Sequence, residues 1–382
     1  MHILITGGLG FIGRAISRRL LAEGGHHLTI VDMLSPQVHA EGETYPDITG
    51  HDAVTFVQAD IAEPGVLRAA LAEKADAVIH LAAETGTGQS MYEIERYYRT
   101  NVTGTAILLE EIVKTPELRP ECLLLASSRS IYGEGAYVKA GEEADAQAQR
   151  FYPAARTVAD MDAGRFDFAA PDGTQLVPVA TRESDPADPR SLYAASKLAQ
   201  EQMCRIACES VGIRFHGLRL QNVYGPGQSL KNPYTGILSI FTNILRQEGQ
   251  IDIFEDGEES RDFVFVEDVA RAFQTALTLG EDAPDAMNVG LGKAYTVSEM
   301  VALLEAKMGR PNSSKISGRF RPGDIRHNYA DVARMEQHLG FTPEVDLPEG
   351  LSRTVDWALE QPVEEDRSEK ATQELAGFLK RG

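Results

Sequence analysis

Apolar positions along this chain follow two periods in alternation. Short apolar or β-branched runs at 2–6, 27–31, 54–57, 77–81, 122–126 and 215–220 read as buried strands. Between them apolar residues recur at helical spacing. Phe11, Ile12, Ala15, Ile16 and Leu20 form one such set, and Val102, Ile107, Leu108 and Ile112 mark a long helix over 92–114. Further helices are expected over 64–73 and over Leu192–Val211. Strand–helix alternation of this kind predicts an α/β fold with a doubly wound parallel sheet, whose ligands lie at the C-terminal strand ends. Three of those ends are chemically unusual: Asp60-Ile61, His80-Leu81-Ala82-Ala83 and Ser127-Ser128.

The alternation breaks twice. Residues 135–189 form an insertion, helix-like and acidic over 142–150 and then rich in Gly, Pro and Asp with little periodicity. From Gln221 onward Gly and Pro rise, and a second, smaller α/β lobe is expected. It holds helices over 237–247, Val297–Met308 and 347–359, strands over 251–254 and 263–265, and an arginine-rich loop over 318–326. The expected division is 1–220 as the first domain with its insertion, 221–360 mainly as the second lobe with segments returning to the first, and 361–382 as a charged tail that forms a fraying surface helix.

The first strand runs straight into Gly7, Gly10 and Gly13, and a helix opens at once. The first glycine permits the turn, the second lets the backbone approach a pyrophosphate, and the third lets helix and strand pack closely. The open N–H groups of the helix start then face the phosphates. Asp32 ends the next strand, about 20 residues on, where a carboxylate accepts from both ribose hydroxyls of an adenosine and repels a 2′-phosphate. Neither Met33 nor Leu34 is an arginine that could hold that phosphate. The expected fold is therefore of Rossmann type and the expected cofactor is NAD.

Composition narrows the partners. A net charge of −20 over 382 residues argues against nucleic acid or an anionic membrane as partner. It leaves room for an anionic small ligand held by a local arginine cluster. Cys122, Cys204 and Cys208 give no disulfide framework, and Cys204 and Cys208 read as buried structural thiols. No metal site is expected. The chain opens on a strand rather than a leader-like segment, and no apolar run reaches membrane-spanning length, so a cytoplasmic protein is expected.

Tyr193 and Lys197 stand four apart on one predicted helix and share a face. An ammonium beside a phenol stabilises the phenolate and makes the tyrosine a usable general base. Taken with the glycine turn, Asp32 and the strand ending in Ser127-Ser128, the chain resembles the extended short-chain dehydrogenase/reductases, in their NDP-sugar epimerase/dehydratase group. The matching segments also include Asp60-Ile61, 80–83, 101–105, 127–133, 222–226, 261–264 and 321–324.

That resemblance implies roles. Ser128 would hydrogen-bond the sugar, Tyr193 would take the hydroxyl proton, and Lys197 would hold the nicotinamide ribose. Gly7, Gly10, Phe11, Ile12 and Gly13 would meet the pyrophosphate, Asp32 the adenosine ribose, and Asp60 and Ile61 the adenine. Ala82, Ala83 and Asn101 would line the cofactor cleft. Thr87, Ser128, Arg129, Asn222, Arg261, Arg321 and Asp324 would form the sugar-nucleotide side, with the arginines suited to a diphosphate. Related dehydratases carry acids just after the catalytic Ser/Thr, whereas here Arg129 and Ser130 follow it. The group thus implies a 4-epimerase acting on a dTDP- or UDP-hexose. The loops over 84–90, 127–135 and 232–235, with the long insertion, are similar to dTDP-L-rhamnose 4-epimerase-type sequences. A 4,6-dehydratase or other NDP-sugar oxidoreductase, and a non-catalytic NAD-binding protein, stay open. Glu84 reads equally as a further acid or base and as a loop anchor. The resemblance also implies a homodimer, paired through the helices over 92–114 and Leu192–Val211.

Overall fold

In the computed structural model, residues 1–142, 148–234, 236–321, 323–363 and Gly377 are described. Seven strands form one parallel sheet in the order Ala286–Val289, Arg214–Leu220, Cys122–Ser128, Ala77–His80, His2–Thr6, His27–Asp32, Val54–Gln58. Helices cover both faces, so the central strands are apolar without alternation: Leu4, Ile5, Ile30, Val31, Val78, Ile79 and 123–125 are fully buried. One layer packs Ile16 and Leu20 of the Phe11–Glu23 helix with Val269 and Phe273 of the Val266–Ala276 helix. The other packs Leu67, Leu108, Ile112, Cys204 and Cys208. All three cysteines are buried free thiols. Strand order reverses beside His2–Thr6, which opens a crevice at its C-terminal end.

The long helix over 92–114 is broken. It runs as Ile94–Tyr98, a π-helical Arg99–Gly104, and Thr105–Lys114. The wider π turn directs Asn101 inward, where its Nδ2 donates to Ser196 Oγ at 2.9 Å and its Oδ1 accepts from the Glu84 N–H at 2.7 Å. The helix over 64–73 contracts to Val66–Ala70, because Gly65 sits at φ +83° and starts it late.

Among the elements not anticipated, two complete the main sheet and its cover. Val266–Ala276 carries apolar residues at 266, 269, 270, 273 and 276, a helical spacing that would have identified it. Ala286–Val289 is four residues long with a buried Asn288, and gives little strand signal. Both return the chain to the main sheet. After Asn222, Met335 and Leu339 of the Ala333–Leu339 helix also join the first layer, while Leu238, Leu245, Phe263, Phe265, Met300, Leu304, Leu351 and Val355 build a separate core. The insertion holds an antiparallel hairpin, Ala136–Lys139 with Leu176–Val179, and a short helix, Val158–Asp162. The helix expected over 142–150 falls largely on 143–147, outside the described residues, as does the tail helix beyond 363 apart from Gly377. Among the described residues no helix is long and apolar enough to cross a membrane.

His80 ends a central strand with Nδ1 2.6 Å from Thr6 Oγ1 and Nε2 2.8 Å from Thr105 Oγ1. Burial, with the nearby Lys197 charge, pushes its pKa down to about 3. In the unfolded chain it titrates near its ordinary ~6.5. Between those values the unfolded state binds the extra proton, so stability is whole above about 6.5 and falls as the pH drops towards 3. From pH 7 to pH 5 the wild type should lose about 2 kcal/mol more than His80→Asn in urea unfolding. Equal losses in the two proteins would remove His80 from the acid sensitivity.

Candidate active site

The site is built outward from the sharp turn at Gly7. Gly7 has φ +70°, and a Cβ there would lie 2.7 Å from the Ala82 N. At Gly13 a Cβ would meet the Gly7 carbonyl at 2.4 Å. The turn therefore seats the helix start directly on the strand ends. Gly10 begins the helix with no side-chain cap, which leaves its first N–H groups to a ligand. Gly7, Gly10, Phe11, Ile12, Gly13 and Ala83 line a cavity of about 830 Å³.

A smaller adjoining cavity of about 130 Å³ is lined by Asp32, Asp60, Ile61, Ala82 and Ala83. Asp32 is fixed by accepting the Leu9 N–H at 3.0 Å and the Leu34 N–H at 2.9 Å. A carboxylate has about four acceptor positions, so two backbone bonds leave capacity for ribose hydroxyls. Asp60 pairs with Arg99 at 3.0 Å. This cradle, free helix start and carboxylate suit an adenine dinucleotide. Asn101 stands behind the cleft wall, holding Glu84 and Ser196 rather than lining either cavity. Glu84 pairs with Arg96 at 2.9 Å, which is the geometry of a loop anchor.

Ser128, Tyr193 and Lys197 meet in the larger cavity. Ser191 caps the Leu192–Val211 helix by accepting the Ala194 N–H, and one turn brings Tyr193 and Lys197 onto the cavity side. Burial raises the Tyr193 phenol above its ordinary pKa, while a hydrogen bond from Ser128 and the Arg129 charge pull it back. Ser128 Oγ is itself held by Ser130, accepting its N–H at 3.2 Å and its hydroxyl at 2.9 Å. Burial brings Lys197 down to about 8. Its Nζ donates to Gln200 Oε1 at 2.6 Å, and Gln200 Nε2 donates to Thr105 Oγ1 at 2.8 Å. Gln200 was not foreseen, although its place three residues after Lys197 puts it on the same face.

The remaining residues expected on the substrate side come from separate elements. Thr87, Arg129, Asn222, Arg261, Arg321 and Asp324 all line the same cavity. Arg129 Nη2 donates to Asn222 Oδ1 at 3.3 Å, its Nη1 is buried without a hydrogen-bond partner, and burial beside Arg261 lowers its pKa to about 10. Arg261 donates to the carbonyls of Ser260 and Arg326 at 2.9 and 3.0 Å, and Asp324 lies 3.7 Å from it. Arg321 stacks over Phe254, 4.9 Å from the ring centroid. Behind them the insertion is tied in: Arg156 pairs with Glu255 at 2.6 Å, and buried Arg326 bonds Asp167, Glu255 and Asp256. No sequence signal marked Arg156 or Arg326 for this work.

A family model described as the NAD-dependent epimerase/dehydratase family matches residues 3–164 and 168–290. The chain belongs to that family. It is 38% identical over 360 residues to a dTDP-L-rhamnose 4-epimerase of Burkholderia thailandensis, covering 94% of this chain and 95% of that one. Among solved structures it is similar to the UDP-glucose 4-epimerase of Thermotoga maritima with UDP-glucose. That match has 26% identity and a TM-score of 0.74, and covers 94% and 99% of the two chains. It is also similar to the UDP-glucose 4-epimerase of Thermus thermophilus in complex with NAD, with 28% identity, a TM-score of 0.72 and coverage of 95% and 100%. The Rossmann-type fold and the NAD-dependent family expected from the motifs are thus both met.

Proposed function

We propose that this chain is an NDP-sugar 4-epimerase working on bound NAD, with a dTDP- or UDP-hexose as substrate. The observation that carries this reading is one continuous cavity. It runs from the Gly7 turn past Ser128, Tyr193 and Lys197 to Arg261 and Arg321. When bound, NAD supplies the acceptor for the sugar C4 hydride and the donor that returns it to the opposite face. The chain's own residues do the rest. Tyr193 takes the C4 hydroxyl proton and gives it back. Ser128 orients that oxygen and donates to the phenol. Lys197, cationic below about pH 8, holds the nicotinamide ribose, while the Ser128 hydrogen bond and the Arg129 charge stabilise the phenolate. Arg261 and Arg321 hold the diphosphate, with Asn222, Asp324 and Thr87 around the rest of the substrate. Arg129 turns a guanidinium, not an acid, towards the reacting sugar, which favours epimerisation over loss of water.

The dTDP-L-rhamnose 4-epimerase relative supports a dTDP-hexose as the first substrate to try. Exposed Ile94 and Ile206, on the helices that flank the sheet, support the homodimer face. Three buried free thiols suit the reducing cytoplasm, where we place the enzyme. Mixing the holoenzyme with dTDP- and UDP-hexoses should convert one of them with no build-up of reduced-nicotinamide absorbance. Stoichiometric reduced cofactor, or a 4-keto-6-deoxy product, would instead mark an oxidoreductase or a dehydratase.

A further inference from the structure

Glu259 sits in the wall of the large cavity two residues before Arg261. It is 7% exposed, and its Oε2 is buried with no hydrogen-bond partner among the described residues. The neighbouring cations are engaged elsewhere. Arg261 donates to the carbonyls of 260, 325 and 326, and Arg156 and Arg326 pair with Glu255. Burial pushes the Glu259 carboxyl up to about 7, with Glu255 adding to the push. Leaving a buried acceptor unpaired is costly, and such groups concentrate where a ligand completes them.

The surroundings say which ligand group. Phe241, Ile244, Phe263 and Val297 line the same cavity, and the Val297 N–H donates to the Glu259 carbonyl at 2.9 Å. Apolar walls with one buried acceptor suit the faces and edge of a flat ring, whereas a phosphate needs the donors that stand at Arg261 and Arg321. Thymine and uracil carry a single ring N–H, the imide N3–H between two carbonyls. We propose that Glu259 reads the pyrimidine base by accepting that N3–H. This rests on the nucleotide-sugar reading, which places the diphosphate on Arg261 and Arg321 and so sends the base beyond them.

The test is calorimetric titration of the holoenzyme with UDP, dTDP and N3-methyl-UDP. Wild type, Glu259→Gln and Glu259→Ala are compared, after melting curves show all three folded. Glu259→Ala should weaken UDP and dTDP alike by about tenfold, while Glu259→Gln, which keeps an acceptor oxygen, stays within about threefold of wild type. N3-methylation should cost the wild type about tenfold and cost Glu259→Ala much less. An equal N3-methyl penalty in both would overturn the assignment. A loss confined to UDP would also overturn it, since that points to the ribose 2′-hydroxyl that dTDP lacks. The nucleotide reading is tested separately on the unsubstituted protein, and fails if wild type binds neither UDP nor dTDP.

Discussion

Tyr193→Phe should lower turnover by about 10³-fold or more while the protein keeps its NAD and binds sugar nucleotide as before. Proton transfer by a positioned side chain is worth roughly 10²–10⁴-fold, and no neighbouring group stands ready to replace the phenol. Ser128 donates to that phenol and is held in place by two bonds from Ser130, and Lys197 is committed to Gln200. Removing one hydroxyl at this position leaves the Gly7 turn and Asp32 untouched, so cofactor content should not change. The checks are single-turnover rates, nucleotide released on denaturation, and calorimetry with UDP. Activity within about tenfold of wild type would take Tyr193 out of proton transfer.

Asp262→Ala should cost about 3–5 kcal/mol of stability in urea unfolding. The carboxylate is fully buried and accepts the N–H groups of Leu291 at 2.8 Å, Gly292 at 3.0 Å and Ala330 at 3.2 Å. Alanine would leave all three donors in the interior without partners. Gly290 packs directly on this carboxylate, since a Cβ there would lie 2.5 Å from Asp262 Oδ2. The Asp262 carbonyl also accepts from the Asn222 backbone at 3.1 Å and side chain at 2.7 Å, and Asn222 in turn holds Arg129. Loosening this joint should therefore raise KM for the sugar nucleotide as well. A loss under about 1 kcal/mol would show that water or the backbone satisfies those donors.

Local signals made the first half of the chain legible. Gly7 and Gly13 fall where close backbone packing forbids a side chain, Gly10 starts the helix beside the cavity, and Asp32 ends its strand two positions before Leu34 turns the chain at φ +54°. Tyr193 and Lys197 were legible because helical spacing alone puts them on one face. What stayed hidden depends on distant partners. Gln200 gains its meaning from Lys197, Thr105 and His80 together. Arg326 is an ordinary loop arginine until the fold brings Asp167, Glu255 and Asp256 to it. The antiparallel pair Ala136–Lys139 and Leu176–Val179 joins strands almost 40 residues apart, too far for one tight turn to announce the pairing. The π turn at Arg99–Gly104 leaves no mark in hydrophobic periodicity, yet it decides that Asn101 faces inward. Glu259 reads as one more acid in an acidic loop, and only its burial sets it apart.

The central claim is that the C4 hydrogen leaves the sugar and returns to it within one active site. The direct measurement incubates the holoenzyme with a dTDP- or UDP-hexose deuterated at C4 and follows both epimers by proton NMR. The account predicts that the two epimers approach equilibrium with the label kept at C4 and no solvent hydrogen entering the ring. Loss of the label to water, solvent exchange at C5, or arrest at a 4-keto sugar would contradict it.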